Sequence, residues 1–211
     1  MATTAKPLAT LNEELAKSVA LLEAVRALRL PAQVPGRFRA LPNFQLALVA
    51  ELAFLRCFLS WEIFLEECFL AYASGSETPS GTTYTCFLAA PNRESTKAIL
   101  VGERRAFATW TNPKDVTQRA QLYFEKGEPF ASALATAGGA LADMVVVRNR
   151  IAHRSGTAAQ NFLSLIRRRY GSVQPGMSPG RFLLGPAPNP VRRQIDDYVI
   201  VLKAASRQIA S

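Results

Sequence analysis

The chain has one histidine and three cysteines in 211 residues, and these shortages exclude several chemistries. No zinc site with more than one histidine can form within a single chain. Cys57, Cys68 and Cys86 show no C-x-x-C pair. Acid–base catalysis by two histidines is impossible within one protomer. An odd set of unpaired cysteines without a secretory leader pattern points to a reducing cytoplasm. Acidic residues are scarce in one half. Residues 1–100 hold nine basic and nine acidic side chains, whereas residues 101–211 hold sixteen and seven, net +9. Between Met144 and Ile195 there are nine arginines and no Asp or Glu. A one-sided basic field is what a polyanionic partner requires.

What is present is hydrophobic periodicity of the helical kind, almost throughout. The length suits a single domain, here 1–211, with an N-terminal helix and linker in 1–41 and a core in 42–211. Such a chain buries a core without disulfides or metals. A first helix is expected from Leu11 to Leu30, with Thr10 and Glu13 as its capping box. A long second helix is expected from Pro42 to just before Gly75. Phe54, Phe58, Trp61, Leu65 and Tyr72 form one stripe on it, and Leu48, Leu52, Leu55, Leu59 and Ile63 a second. A helix apolar over most of its circumference belongs at the centre or in a subunit interface. Glu51, Arg56, Glu62, Glu66 and Glu67 interrupt it, so it is not a membrane span.

Further along, Thr82–Ala89 reads as a short strand or an irregular segment, and Ser95–Val101 as a short helix. Asn112-Pro113 caps a helix to about Phe124. The next helix covers Glu128–Ala152 and contains Gly138-Gly139, which cost about 1 kcal/mol each in a helix interior. Close approach of a neighbouring helix would compensate. Thr157–Tyr170 is capped by Thr157 and Gln160 and stopped by Gly171. Residues 172–190, rich in Pro and Gly, read as a loop. An amphipathic helix from Val191 to Ile209 closes the chain. The sum is an all-α bundle of about five main helices plus short extra elements.

The sole histidine lies in Arg148-Asn149-Arg150-Ile151-Ala152-His153, at the end of the Glu128 helix. Asn149 and His153, four residues apart, share a face. Arg148 lies about 140° round from His153, yet its long side chain reaches the same helix end. It also continues the apolar row Leu134, Leu141, Val145, Arg148, Ala152. A charge on such a row needs a carboxylate, a cleft or a bound anion, because an unpaired buried charge is costly. Glu62, between the two stripes of the long helix, is the expected internal partner. Arg150, Arg154, Arg167, Arg168, Arg169, Arg192 and Arg193 are candidate phosphate contacts, and they would make binding strongly salt-dependent.

The run Arg148–His153 resembles the R-x4-6-H motif of the HEPN superfamily, including the polar residue after its Arg. Trp61-Glu62-Ile63-Phe64-Leu65-Glu66-Glu67 and Ile195-Asp196-Asp197-Tyr198-Val199 are similar to helices of the RiboL-PSP and related HEPN groups. The resemblance spans roughly residues 42–210. It implies an endoribonuclease that uses no metal or other cofactor, in which two protomers join their motifs in one cleft. Such a homodimer supplies the second histidine that composition denies a single chain. His153 would act on the ribose 2′-hydroxyl or the leaving 5′-oxygen. Arg148 would hold the scissile phosphate, and Asn149 would orient phosphate or histidine. The products would carry 2′,3′-cyclic phosphate and 5′-hydroxyl ends. The resemblance also implies an effector of toxin–antitoxin or antiviral-defence type, with RNA as partner and an antitoxin or nucleotidyltransferase as a further one. The alternative is a non-catalytic HEPN-like module that binds RNA or nucleotide, or docks a partner. A plain helical interaction protein is the third reading.

Overall fold

A computed structural model describes residues 3–27, 43–88, 93–101, 109–188 and 191–211. The described residues are all-α. The helices are α1 (Ala5–Ala27), α2 (Asn43–Ala73), α3 (Arg93–Val101), α4 (Pro113–Tyr123), α5 (Phe130–Ala152), α6 (Gly156–Tyr170), α7 (Pro179–Leu184) and α8 (Gln194–Ala210), with a 3-10 turn at Glu125–Gly127. Among the described residues there is no strand, only isolated bridges such as Cys86 to Phe124. The segment after Thr82 is therefore irregular. It is held by backbone bonds from Phe87 N–H to the Tyr123 carbonyl (2.8 Å) and from Glu125 N–H to the Thr85 carbonyl (3.0 Å).

Several helix ends differ from expectation, each for a local reason. α1 begins at Ala5 rather than Leu11. Pro7 fits its first turn, where a missing N–H costs nothing. Thr10 and Glu13 thus lie inside the helix and form no capping box. Glu13 instead pairs with Lys17 one turn on, at 2.7 Å. The expected ends at Leu30 and Pro42 lie outside the described residues. α6 is capped by Ser155, whose hydroxyl accepts from Ala158 N–H at 3.2 Å, not by Thr157. Gly171 closes α6 in the left-handed region at φ 74°, as expected. The Pro- and Gly-rich stretch is not all loop. Ser178 caps α7 with Pro179 at its first position, and Phe182 and Leu183 are buried.

The chain divides into two compact units. The first comprises Met1–Asn12, Ser60–Ala142 and Val201–Ser211. Its core is aromatic. The Phe69 ring lies 4.8 Å from Phe124 and 5.2 Å from both Trp110 and Phe130, at the tilted and edge geometries that aromatic pairs prefer. Tyr72 donates its hydroxyl to the Ile209 carbonyl at 2.6 Å, so a buried polar group is satisfied. Asn112 caps α4 through Lys114 N–H, with Pro113 at the first position. Within this unit Gly138 and Gly139 meet no neighbouring helix: a Cβ added at either would touch nothing within 4 Å. The expected compensation for two mid-helix glycines is absent among the described residues.

The second unit comprises Glu13–Leu59 and Asp143–Ile200. Phe54 packs against Phe58 and Tyr198, and Phe182 against Phe162 and Tyr170. α7 touches α2 through backbone. A Cβ on Gly180 would stand 2.0 Å from the Ala47 carbonyl oxygen, so only glycine fits. Gly180 N–H donates to the Glu51 carboxylate at 2.8 Å, which satisfies one of the orphan donors at the start of α7. One described helical stretch, Glu125–Ala152, is long and apolar enough by length and composition to cross a membrane, and 44% of its apolar window is buried inside the protein.

Candidate functional site at the end of the fifth helix

The last turns of α5 carry the three residues that the sequence singles out. Met144 and Val147 are buried and fix the rotation of the helix. Arg148 and Asn149, next in the chain, are half-buried at the edge of the apolar row, and His153 just beyond Ala152 is exposed. The His153 N–H still bonds back to the Asn149 carbonyl at 2.9 Å, so the helical path carries the imidazole to the same end. The Arg148 guanidinium bridges the group. Its Nη1 donates to Asn149 Oδ1 at 3.3 Å and stands 3.5 Å from His153 Nε2. A guanidinium only donates, so a hydrogen bond across this gap uses Nε2 of His153 as its acceptor. Arg148 has no carboxylate partner among the described residues.

The expected acidic partner is used elsewhere. Glu62 accepts a hydrogen bond from the Thr111 hydroxyl, in the first unit. The row of arginines also separates by environment. Arg154 and Arg167 are exposed, Arg150 is half-buried, and none of the three makes an ion pair among the described residues. Arg150 Nη1 reaches the His153 carbonyl at 3.5 Å. Arg192 is exposed. It lines a cavity of about 310 Å³ with Arg26, Arg193, Asp196, Gly185 and Pro186.

Three expected phosphate contacts are instead engaged within the protein. Arg193 is bidentate to Asp196 at 2.7 and 2.8 Å and also pairs with Glu23. Arg168 and Arg169 both pair with Asp143, Arg169 at 3.1 Å. Burial pushes the Asp143 carboxyl above its ordinary range, and the two guanidiniums oppose that shift. This buried clamp was not singled out from sequence, although the signal was there. Asp143 is the sole acid between Pro129 and Ile195, and a lone acid in an apolar helix must meet cations.

Cys57 and Cys68 are buried, and burial pushes the Cys68 thiol up, away from reactivity. Among the described residues no group of three or more His, Cys, Asp or Glu could hold a metal ion. Arg148, Asn149 and His153 together offer donors to an anion and one basic nitrogen beside them. No known family, curated protein or solved structure matches this chain.

Proposed function

We propose that the chain is a metal-independent endoribonuclease of HEPN type, acting as a homodimer. The carrying observation is the Arg148 guanidinium, which has no carboxylate partner among the described residues and lies 3.3 Å from Asn149 Oδ1 and 3.5 Å from His153 Nε2 at an exposed helix end. An arriving phosphodiester takes the guanidinium as a charge-assisted, bidentate donor. That frees the imidazole nitrogen to accept a proton. One His153 removes the ribose 2′-proton, the 2′-oxygen attacks phosphorus, and the P–O5′ bond breaks. The partner subunit's His153 protonates the leaving 5′-oxygen. The products are a 2′,3′-cyclic phosphate and a 5′-hydroxyl. Arg148 stabilises the charge that builds on the phosphoryl oxygens. Arg150, Arg154, Arg167 and Arg192 hold the RNA strand by its backbone, without reading sequence.

The same cations support a second reading, a silent module that binds RNA or nucleotide without cutting. One assay separates the two. RNA is incubated in EDTA with wild type and with His153→Ala. Cleavage by the wild type alone, with cyclic phosphate ends, is the expected result. Retained binding without cleavage selects the silent module, and cleavage only with added Mg²⁺ removes the metal-free mechanism. An effector role in defence or toxin–antitoxin pairing rests on this activity and is tested by growth on induction of wild type against His153→Ala.

A further inference from the structure

The second apolar stripe of α2 is open to solvent. Leu48, Leu52 and Leu59 are 53%, 57% and 56% exposed, Leu55 is half-buried, and Phe44 at the start of the row is 66% exposed. The opposite face of the same helix is fully buried through Leu46, Ala50, Phe54, Cys57 and Phe58, so the exposed stripe is not needed to hold the fold. The four leucines follow one another at steps of four, three and four residues. That is the a/d seam one helix presents to another, narrower than the stripe a helix buries in its own core.

We propose that this seam docks on the same seam of a second copy of the chain. Three features select that occupant. The seam contains no charge, and the neighbouring Arg56 is bonded to Glu14 on α1 at 2.9 Å, so nothing in it calls for an acidic or basic partner. A row of identical leucines is complementary to itself, which is the requirement of a two-fold contact. Its size also fits. Counting each at about 150 Å², the low end of the range for aromatic side chains, the exposed parts of Phe44, Leu48, Leu52 and Leu59 sum to roughly 350 Å². A standard interface buries about 800 Å² per partner, a little over half of it apolar, so the seam supplies most of the apolar share.

This proposal stands on exposure and spacing and does not depend on ribonuclease activity. Mass measurement tests it, by light scattering across a concentration series without RNA. The wild type is expected at twice the chain mass of 23.0 kDa, falling toward one on dilution. Leu52→Glu/Leu59→Glu is expected at single-chain mass with an unchanged helical circular dichroism spectrum. If the charged variant loses helix, Leu52→Gln/Leu59→Gln repeats the test without charge. A wild type of single-chain mass at every concentration overturns the seam, and so does a folded variant that remains dimeric. A seam-dependent dimer that cuts no RNA leaves this proposal standing and removes the ribonuclease reading. A folded seam variant that stays dimeric and active does the reverse.

Discussion

Arg168 and Arg169 on α6 and Arg148 on α5 belong to the same unit and the same basic stretch of sequence, yet they are satisfied in opposite ways. The α6 pair closes on Asp143, a carboxylate whose side chain is 8% exposed. Among the described residues Arg148 leans only on an amide oxygen and an imidazole nitrogen. In the first cluster the cations are neutralised inside the protein, and removing the acid would leave them without a counter-charge. In the second, a full positive charge sits beside an amide and an imidazole at an exposed helix end. That arrangement does little for the fold and keeps donors for an anion from outside. Counting arginines along the chain therefore overstates the surface available to RNA. Arg168, Arg169 and Arg193 are three of the nine between Met144 and Ile195, and they are paired with Asp143, Asp196 and Glu23.

The contrast makes its largest prediction at His153. His153→Ala should lower the cleavage rate by about 10²–10⁴-fold, the usual contribution of a positioned acid–base group, with an unchanged melting temperature. Single-turnover cleavage and thermal melting check both halves. A fall of several degrees would place His153 with the structural cluster instead. Asp143→Ala should do the opposite, lowering stability by about 2–3 kcal/mol in urea titration. This lies at or just below the usual range for a broken buried pair, because Arg168 is 63% exposed and water screens that half. An effect under about 0.5 kcal/mol, the range of ordinary surface changes, would erase the distinction between the clusters.

Salt dependence sharpens it further. Arg154→Gln should reduce the slope of log affinity against log salt by about 0.7–1 for an RNA strand. Arg168→Gln should change it less, because Asp143 already neutralises that charge. Equal slopes for the two variants would mean that the clamp opens when RNA binds.

Much of this was legible in the residues. The period of apolar positions placed most of the helices, and Asn112-Pro113 and Gly171 marked ends because cap chemistry is local. The grouping of Asn149 with His153 followed from helical spacing, and Arg148 joined them through the reach of its side chain. What was not legible depends on packing between distant segments. Whether Arg148 meets Glu62, or Glu62 meets Thr111, is decided by how elements dock, and no period records that. α7 was hidden because Pro and Gly suggest a loop, while here Pro179 starts a helix and Gly180 allows contact with Ala47. The two-stripe character of α2 was visible, but only the fold shows which stripe is left outside.

The glycine pair of α5 supplies the smallest test of the same idea, that an unsatisfied feature is either a cost or a surface. Gly139 is exposed and Gly138 half-buried, and a methyl group at either meets nothing within 4 Å. A glycine inside a helix is worth about 1 kcal/mol less than alanine, chiefly through the freedom of the unfolded chain. With no close neighbour to offset that cost, Gly139→Ala should raise stability by about 0.5–1 kcal/mol, read as an upward shift of the melting temperature, with cleavage and chain mass unchanged. The seam of α2 predicts this neutrality, because it places the second copy on another helix. A Gly139→Ala variant that is more stable yet loses the dimer would move the contact to α5, where two small residues let a partner backbone approach.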